Sequence, residues 1–361
     1  MKQDLMKQDL IMRKRKLCGL HHRLALACVL ALIAAPALAE GVSKTATQPS
    51  ATAMSRDKAL LAYQRDLVSV LAPRADALPL LAAAIIARPL TDQPKSNTFH
   101  GLIERAAHAD GAADIDAAIS WTRLADCDSK ADACPNASAL ANLTTQAPDN
   151  AAVWLIKLGD DTRNLKQDAA REDLAKAADA KLYDDYAGTS LKALSGSIGV
   201  LPPQADTFDK ASGAAGVQAV LVYGLASTQP QPVLQVTAKL CESAATDAAI
   251  KTDCLKLGKV LEWGSSPLAR SLGLHLREVL ADDPAQQEDA KHARLSLIWQ
   301  VQSFSQLLGR AQNDSAVAQH LVALARHGGT EMSVLLTALR DNNIPTEAPA
   351  DWKPQAPATS S

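Results

Sequence analysis

Apolar positions along this chain recur at spacings of three and four, and almost nowhere at two. In "KQDAAREDLAKAADA", residues 166–180, Ala170, Leu174, Ala177 and Ala178 form one stripe between charged neighbours, the period of an amphipathic helix. "LPLLAAAIIARPL", residues 78–90, is apolar nearly all round and predicts a buried helix. Alternation of apolar and polar residues is scarce, so strands are poorly signalled. Ser55 is placed to cap a helix through "RDKALLAYQRDLVSVLA", which Pro73 ends. Further helices are expected from near Thr98, through "AADIDAAISWTRLAD", from Asn136, and around Trp154. Gly196, Gly199, Pro202 and Pro203 cluster and suggest a boundary between helical halves at 55–197 and 204–343. The second half continues as "GVQAVLVYGLAST", "QPVLQVTAKLCESA", "DAAIKTDCLKLGKVLEW" and "PLARSLGLHLREVLA", with Pro232 and Pro267 near helix starts. The short connections predict antiparallel neighbours. The expected class is all-α: antiparallel helical hairpins, arranged as an α-solenoid or as a compact irregular array.

The ends read differently. Arg13, Lys14, Arg15 and Lys16 precede the apolar run "LALACVLALIAAPALA", which closes on Ala37-Leu38-Ala39. A basic segment, an apolar core and small residues at −3 and −1 form a signal-peptidase pattern, with cleavage after Ala39. The run is too short and Ala-rich for a membrane span, so no stable anchor is expected after cleavage. Cys28 lies inside it without the Leu at −3 of a lipid-attachment box. The duplicated "MKQDLMKQDLI" puts acidic residues where the basic segment belongs, which favours Met12 over Met1 as initiator. Residues 40–54 read as a flexible lead-in. "PTEAPADWKPQAPATSS" carries four prolines in seventeen residues, so 344–361 is expected to be disordered.

Charge narrows the class. Seven of the 37 Lys/Arg and two of the 39 Asp/Glu lie in residues 1–39, which leaves 30 basic against 37 acidic residues and a net charge of −7. That argues against nucleic acid, which needs a basic footprint, and against anionic membrane surfaces. The expected location is the periplasm, or outside the cell. Cys127, Cys134, Cys241 and Cys254 would survive cleavage as two local pairs. In an exported chain such pairs predict disulfides, Cys127–Cys134 and Cys241–Cys254. Neither pair has C-x2-C spacing or a nearby His, so metal is not expected.

"QAPDNAAVWLIKLG", residues 146–159, leads into the stripe described above. With Trp154 at position 4 of a unit, Pro148 falls at position 32 of the preceding unit, and Ala170, Leu174 and Ala177 fall at 20, 24 and 27. On these residues the segment 148–182 resembles a tetratricopeptide repeat, about 34 residues of helix–turn–helix. Three features depart from the pattern. Leu158-Gly159 stands one residue late, leaving Lys157 and Leu158 in the Leu-Gly register, and Asp161 occupies a position where Tyr is common. Trp121 lies 33 residues before Trp154, and Trp263 lies 36 before Trp299, yet little else around Trp121 or Trp263 fits. The resemblance implies a binding module for another protein or peptide. Trp121, Trp154 and Tyr186 are then the expected partner-binding residues, against a core role for the same aromatics.

Candidate chemistry is sparse. His100, Glu104 and His108 share a helix face, but the two histidines lie roughly 12 Å apart at about 1.5 Å rise per residue, too far for one metal. A solvated polar face is expected there, and likewise for His275 with Glu278. Asp126, Asp128 and Asp132 lack the turn Gly and the Glu of a calcium loop. Ser55-Arg56-Asp57-Lys58 fits S-x-x-K without its partner motifs. No phosphate loop, zinc-protease or dinucleotide motif occurs. No cofactor, metal or catalytic residue is assigned. The rivals to a binding module are a periplasmic enzyme built from distant carboxylates and a structural envelope component without a defined ligand. Mass spectrometry of the exported chain is expected to show an N-terminus at Glu40; a mature protein retaining the apolar run would refute cleavage.

Overall fold

A computed structural model describes residues 51–126, 136–208, 213–243 and 247–354. Among these the chain is all-α, with fifteen helices and no strands: α1 Ala51–Leu71, α2 Ala77–Ala87, α3 Phe99–Ala106, α4 Asp116–Arg123, α5 Asn136–Gln146, α6 Ala151–Arg163, α7 Gln167–Asp179, α8 Ala187–Ser197, α9 Gly213–Ala226, α10 Leu234–Ser243, α11 Ala248–Glu262, α12 Pro267–Leu280, α13 Pro284–Ala311, α14 Ser315–His327 and α15 Glu331–Asp341. No helix among the described residues is long and apolar enough to cross a membrane. The expected Cys127–Cys134 bridge, Asp128, Asp132 and the 1–39 leader lie outside them.

Local chemistry sets the helix starts. The side chains of Thr98, Asn150, Asp247, Ser266, Asp283, Asp314 and Thr330 each accept a hydrogen bond from a first-turn N–H. Pro267 and Pro284 follow two of these caps, where a missing N–H costs least. Ser55 is not a cap. Helix α1 already begins at Ala51, since "ATAM" contains nothing that breaks a helix and three residues that favour it. Residues 51–54 of the expected lead-in are therefore helical, and 40–50 lie outside the described residues.

Packing follows the apolar faces. Helix α2 is enclosed on every side: Leu80 to Ala87 are each 2% exposed or less. The core forms two clusters. The first joins α1–α4, α8, α9 and α13–α15. The second joins α5–α7 and α10–α12 around Trp121 of α4. Helices α4 and α12 serve both, with Ile119 and Leu274 in the first cluster and Trp121, Ala269, Leu272, Leu276 and Leu280 in the second. Both clusters draw on residues before and after the Gly/Pro patch at 196–203, so the core does not divide there; residues 50–354 form one compact unit.

Of the two expected arrangements, the chain adopts the compact array. Helices α6 and α7 pack as the anticipated hairpin. Trp154 Nε1 donates to Pro148 O at 2.7 Å, and Ala170, Leu174 and Ala177 are buried. A solenoid would stack the next hairpin in sequence on α7. Instead α7 packs against α11, while α8 turns away to α2 and α14. The residues that departed from the repeat pattern hold this hairpin together. Lys157 Nζ lies 2.6 Å from Asp161 Oδ2 and 3.0 Å from Asp173 Oδ2. Those carboxylates are 5% and 1% exposed. The hydrogen bond from Lys157 holds Asp161 below the usual carboxylate range. Burial outweighs the same ammonium at the deeper Asp173 and pushes it up.

Cys241 and Cys254 form a disulfide, with Cα atoms 5.7 Å apart, between α10 and α11. The tail also differs from expectation, because residues 344–354 are ordered against α13. Trp299 Nε1 donates to Pro345 O at 2.7 Å and Gln300 Nε2 to Thr346 O at 2.8 Å. Composition alone described a segment unable to form its own core; it did not describe the donors α13 would offer it.

Lys157→Met is expected to lower the urea-unfolding free energy by about 2–3 kcal/mol, below the range for a fully buried pair because Lys157 keeps 33% of its side chain exposed. Adding Asp161→Leu and Asp173→Leu should recover much of that loss, because no buried charge is then left unpaired. An unchanged stability in Lys157→Met would remove the ion cluster from the account of the hairpin.

Candidate functional site

Four loop segments lie side by side and are joined through their main chains. Leu182 O accepts from Ala151 N at 2.8 Å, Tyr183 O from Ser265 N at 3.0 Å, and Ser265 O from Met332 N at 2.9 Å. This seam ties the α6–α7 hairpin, the α11–α12 turn and the start of α15. The segment after α7 runs "LYDDYAG" and supplies most of the side chains that hold it. Asn150 Nδ2 donates to Asp184 O at 2.7 Å, and Asn150 Oδ1 accepts from the N–H groups of Ala152 and Asp184. One amide thus caps α6 and fastens the returning chain. Tyr186 is left-handed, with φ 56°, and its N–H reaches Asp184 Oδ1 at 2.9 Å. Ser265 Oγ donates to Asp185 Oδ1 at 3.0 Å and accepts from Asp185 N at 3.2 Å.

The seam is acidic and partly buried. Asp185 is fully buried, and its Oδ2 has no hydrogen-bond partner. Burial pushes Asp184 above the usual carboxylate range. Burial, then the charge of Asp185, pushes Glu331 up to about 8. The same two causes, in the same order, push the Tyr183 phenol well up. Backbones touch nearby: a Cβ on Gly188 would collide with Gly329 O. Gly328 and Gly329 have φ 85° and 106°, a region open to glycine at little cost. Such a cluster fixes backbone geometry, and in it Asp184, Glu331 and Tyr183 resist ionisation.

Two large apolar side chains beside the seam are exposed. Trp263 ends α11 and is 83% exposed; Leu182 is 49% exposed. They flank the Tyr183–Ser265 hydrogen bond, one residue and two residues away. Lys181, paired with Asp149 at 2.6 Å, edges the same strip.

Of the aromatics anticipated from sequence, Tyr186 lies in the seam segment, while Trp121 and Trp154 lie in the core behind it. Trp121 is fully buried, its ring centroid 5.5 Å from that of half-buried Tyr186, with Nε1 donating to Pro230 O at 3.1 Å. Trp154 is 9% exposed and lies under Lys176 Nζ, 4.8 Å from its ring centroid. Trp121 and Tyr186 are brought together; Trp154 is not part of that pair. These are core contacts, the alternative weighed for them. Trp263 was legible only as a spacing. The informative signal lay next to it, since "GSSP" stops one helix and caps another, placing Trp263 at the exposed end of α11.

The polar candidates form ion pairs. Glu104 pairs with Arg123 and lies 3.4 Å from His108; His100 Nδ1 lies 2.7 Å from the buried Asp126. His275 meets Glu242 at 2.7 Å, and Glu278 meets Arg294 at 2.7 Å, so His275 and Glu278 serve different partners. An open depression of about 340 Å³ lies between the 74–75 turn and α3, lined by Arg74, Leu80, Glu104, Arg105 and His108 among others. Among the described residues no His, Cys, Asp or Glu group is arranged to hold a metal ion. Compared with known proteins, the chain matches no family model, no curated protein and no solved structure.

Glu331 makes the seam sensitive to pH. Its folded-state proton affinity is raised from 4.5 to about 8, so between those values the folded chain keeps a proton the unfolded chain has released. Stability from this group is full below pH 4.5 and is lost as pH rises through 8. Glu331→Gln, which stays neutral, should therefore raise the melting temperature relative to the unmodified chain above pH 8 and converge with it below pH 4.5. A pH-independent difference would show that Glu331 ionises freely in the fold.

Proposed function

We propose that this chain is an exported, periplasmic protein-interaction module whose contact surface is the seam edge around Trp263 and Leu182. The observation that carries the reading is the 83% exposure of Trp263 beside a backbone hydrogen-bonded at Gly264 and Ser265. The chain has only twelve aromatic residues, and tryptophan is the residue most enriched among the anchors of protein interfaces. An indole has only two side-chain torsions to order on binding, which favours affinity. Export is supported by the basic segment, apolar run and Ala37-Leu38-Ala39. The Cys241–Cys254 disulfide suits an oxidising compartment. The helical-pair likeness of 148–182 to tetratricopeptide repeats supports binding over chemistry, while the contact residues shift from Trp121, Trp154 and Tyr186 to the seam edge.

Position-specific crosslinking tests this. A photo-crosslinking residue at Trp263 in the periplasm should give discrete protein adducts. The same residue at Leu165, equally apolar in its setting at 81% exposure but in the α6–α7 turn, should give none of them. Identical adduct patterns at both positions, or none at Trp263, would defeat the assignment of this surface.

A further inference from the structure

A second surface is already occupied, and its occupant shows what it accepts. Ser296, Trp299 and Gln300 lie at i, i+3 and i+4, one face of α13. Residues 345–348 run along this face in the direction opposite to α13. Trp299 Nε1 and Gln300 Nε2 donate to consecutive carbonyls, Pro345 O and Thr346 O, and Ala348 N reaches Ser296 Oγ at 3.4 Å. A turn closed by Trp352 N to Pro349 O, 2.9 Å, then swings Trp352 back. Its ring meets Trp299 edge-on, with centroids 5.4 Å apart and planes at 76°. Upstream, Ile344 packs on the first core cluster and its N–H reaches Leu339 O, so the strap hangs from a fixed point.

Between residues 345 and 348 the recognition is of main chain; the one ring contact comes from Trp352. Pro345, Thr346 and Glu347 are all exposed, and what α13 reads is a row of carbonyls. Pro345 and Pro349 each fix one φ of the strap, whose backbone bends at Thr346 and Glu347. Side-chain N–H groups presented to the carbonyls of a proline-bearing segment can serve equally well between chains. Within the chain, tethering supplies an effective concentration on the order of mM, so the strap competes with any such segment offered from outside.

We infer that the Ser296–Trp299–Gln300 face of α13 is a binding site for a proline-containing segment of another polypeptide, and that residues 345–352 are its displaceable internal occupant. This rests on the reading of the chain as a protein-interaction module. It fails separately from the seam assignment, because peptide affinity at α13 and adducts at Trp263 report on different surfaces.

The test uses the full mature chain and a fluorescein-labelled peptide of residues 344–354, followed by anisotropy. Trp352→Ala loosens the strap and leaves the face intact. Removing one edge-on aromatic contact should raise probe affinity about three- to tenfold over the unmodified chain, through the larger fraction of open sites. Adding Trp299→Ala to Trp352→Ala should abolish the gain. Gln300→Ala in the Trp352→Ala background, a milder change at the surface, should weaken binding about threefold and carries the test if the Trp299 variant does not fold. A probe with Gly in place of Pro345 and Pro349 should bind more weakly. Equal probe affinity for the Trp352→Ala and unmodified chains overturns the proposal. So does undiminished binding to folded Trp299→Ala or Gln300→Ala variants, or a Trp352→Ala dimer that the peptide does not dissolve, which would mark a second copy's tail as the occupant.

Discussion

The main-chain seam is the constraint on which the arrangement depends. Three hydrogen bonds, Ala151 to Leu182, Ser265 to Tyr183 and Met332 to Ser265, align segments more than 180 residues apart in sequence. Helices do not ordinarily join through backbone groups, since their own ladders consume them. Here the groups at helix ends and in loops, which otherwise need caps or water, satisfy one another. The cost is a buried carboxylate, Asp185, with one oxygen lacking a partner. That penalty stays tolerable because its other oxygen takes the Ser265 hydroxyl and the Ala187 N–H.

Much of the helix content was legible because it rests on local chemistry. Caps, N-terminal prolines and the Ala/Leu stripes act within a few residues of themselves, and the structure uses them where they stand. Ser55 misled because a cap-forming residue inside an Ala-rich run need not start a helix. The core partition was illegible for a different reason. Whether α7 meets α8 or α11 depends on contacts about seventy residues apart, and Ala faces are too alike to encode the choice. The Gly/Pro patch at 196–203 looked like a boundary because punctuation marks a change of direction; it does not mark the end of a core.

The aromatics follow the same logic. A Trp within a helical stripe, such as Trp121 or Trp154, reads as either anchor or core, and the periodicity that makes it visible also buries it. Trp263 and Trp299 are informative through their surroundings instead. The first stands against a stop signal, and the second shares a helix face with Ser296 and Gln300. Even the mismatches to the tetratricopeptide pattern were physical signals: Lys157 and Asp161 broke the apolar register because they form a buried ion cluster with Asp173.

The strap and the seam solve one problem in two ways. A chain with few aromatics and many alanines buries little area per helix, so its helices can be held by main-chain contacts at their ends as much as by their faces. At the seam these contacts are internal, between loops of the same core. Along α13 they are made at the surface, by side-chain donors to a segment with no core of its own beyond Ile344. The same donors would be satisfied by another backbone of suitable shape, whereas no foreign segment could replace Ser265 between Tyr183 and Met332 without unfolding the turn that carries it. An exchangeable occupant therefore suits α13 and not the seam, which fixes the backbone beside Trp263.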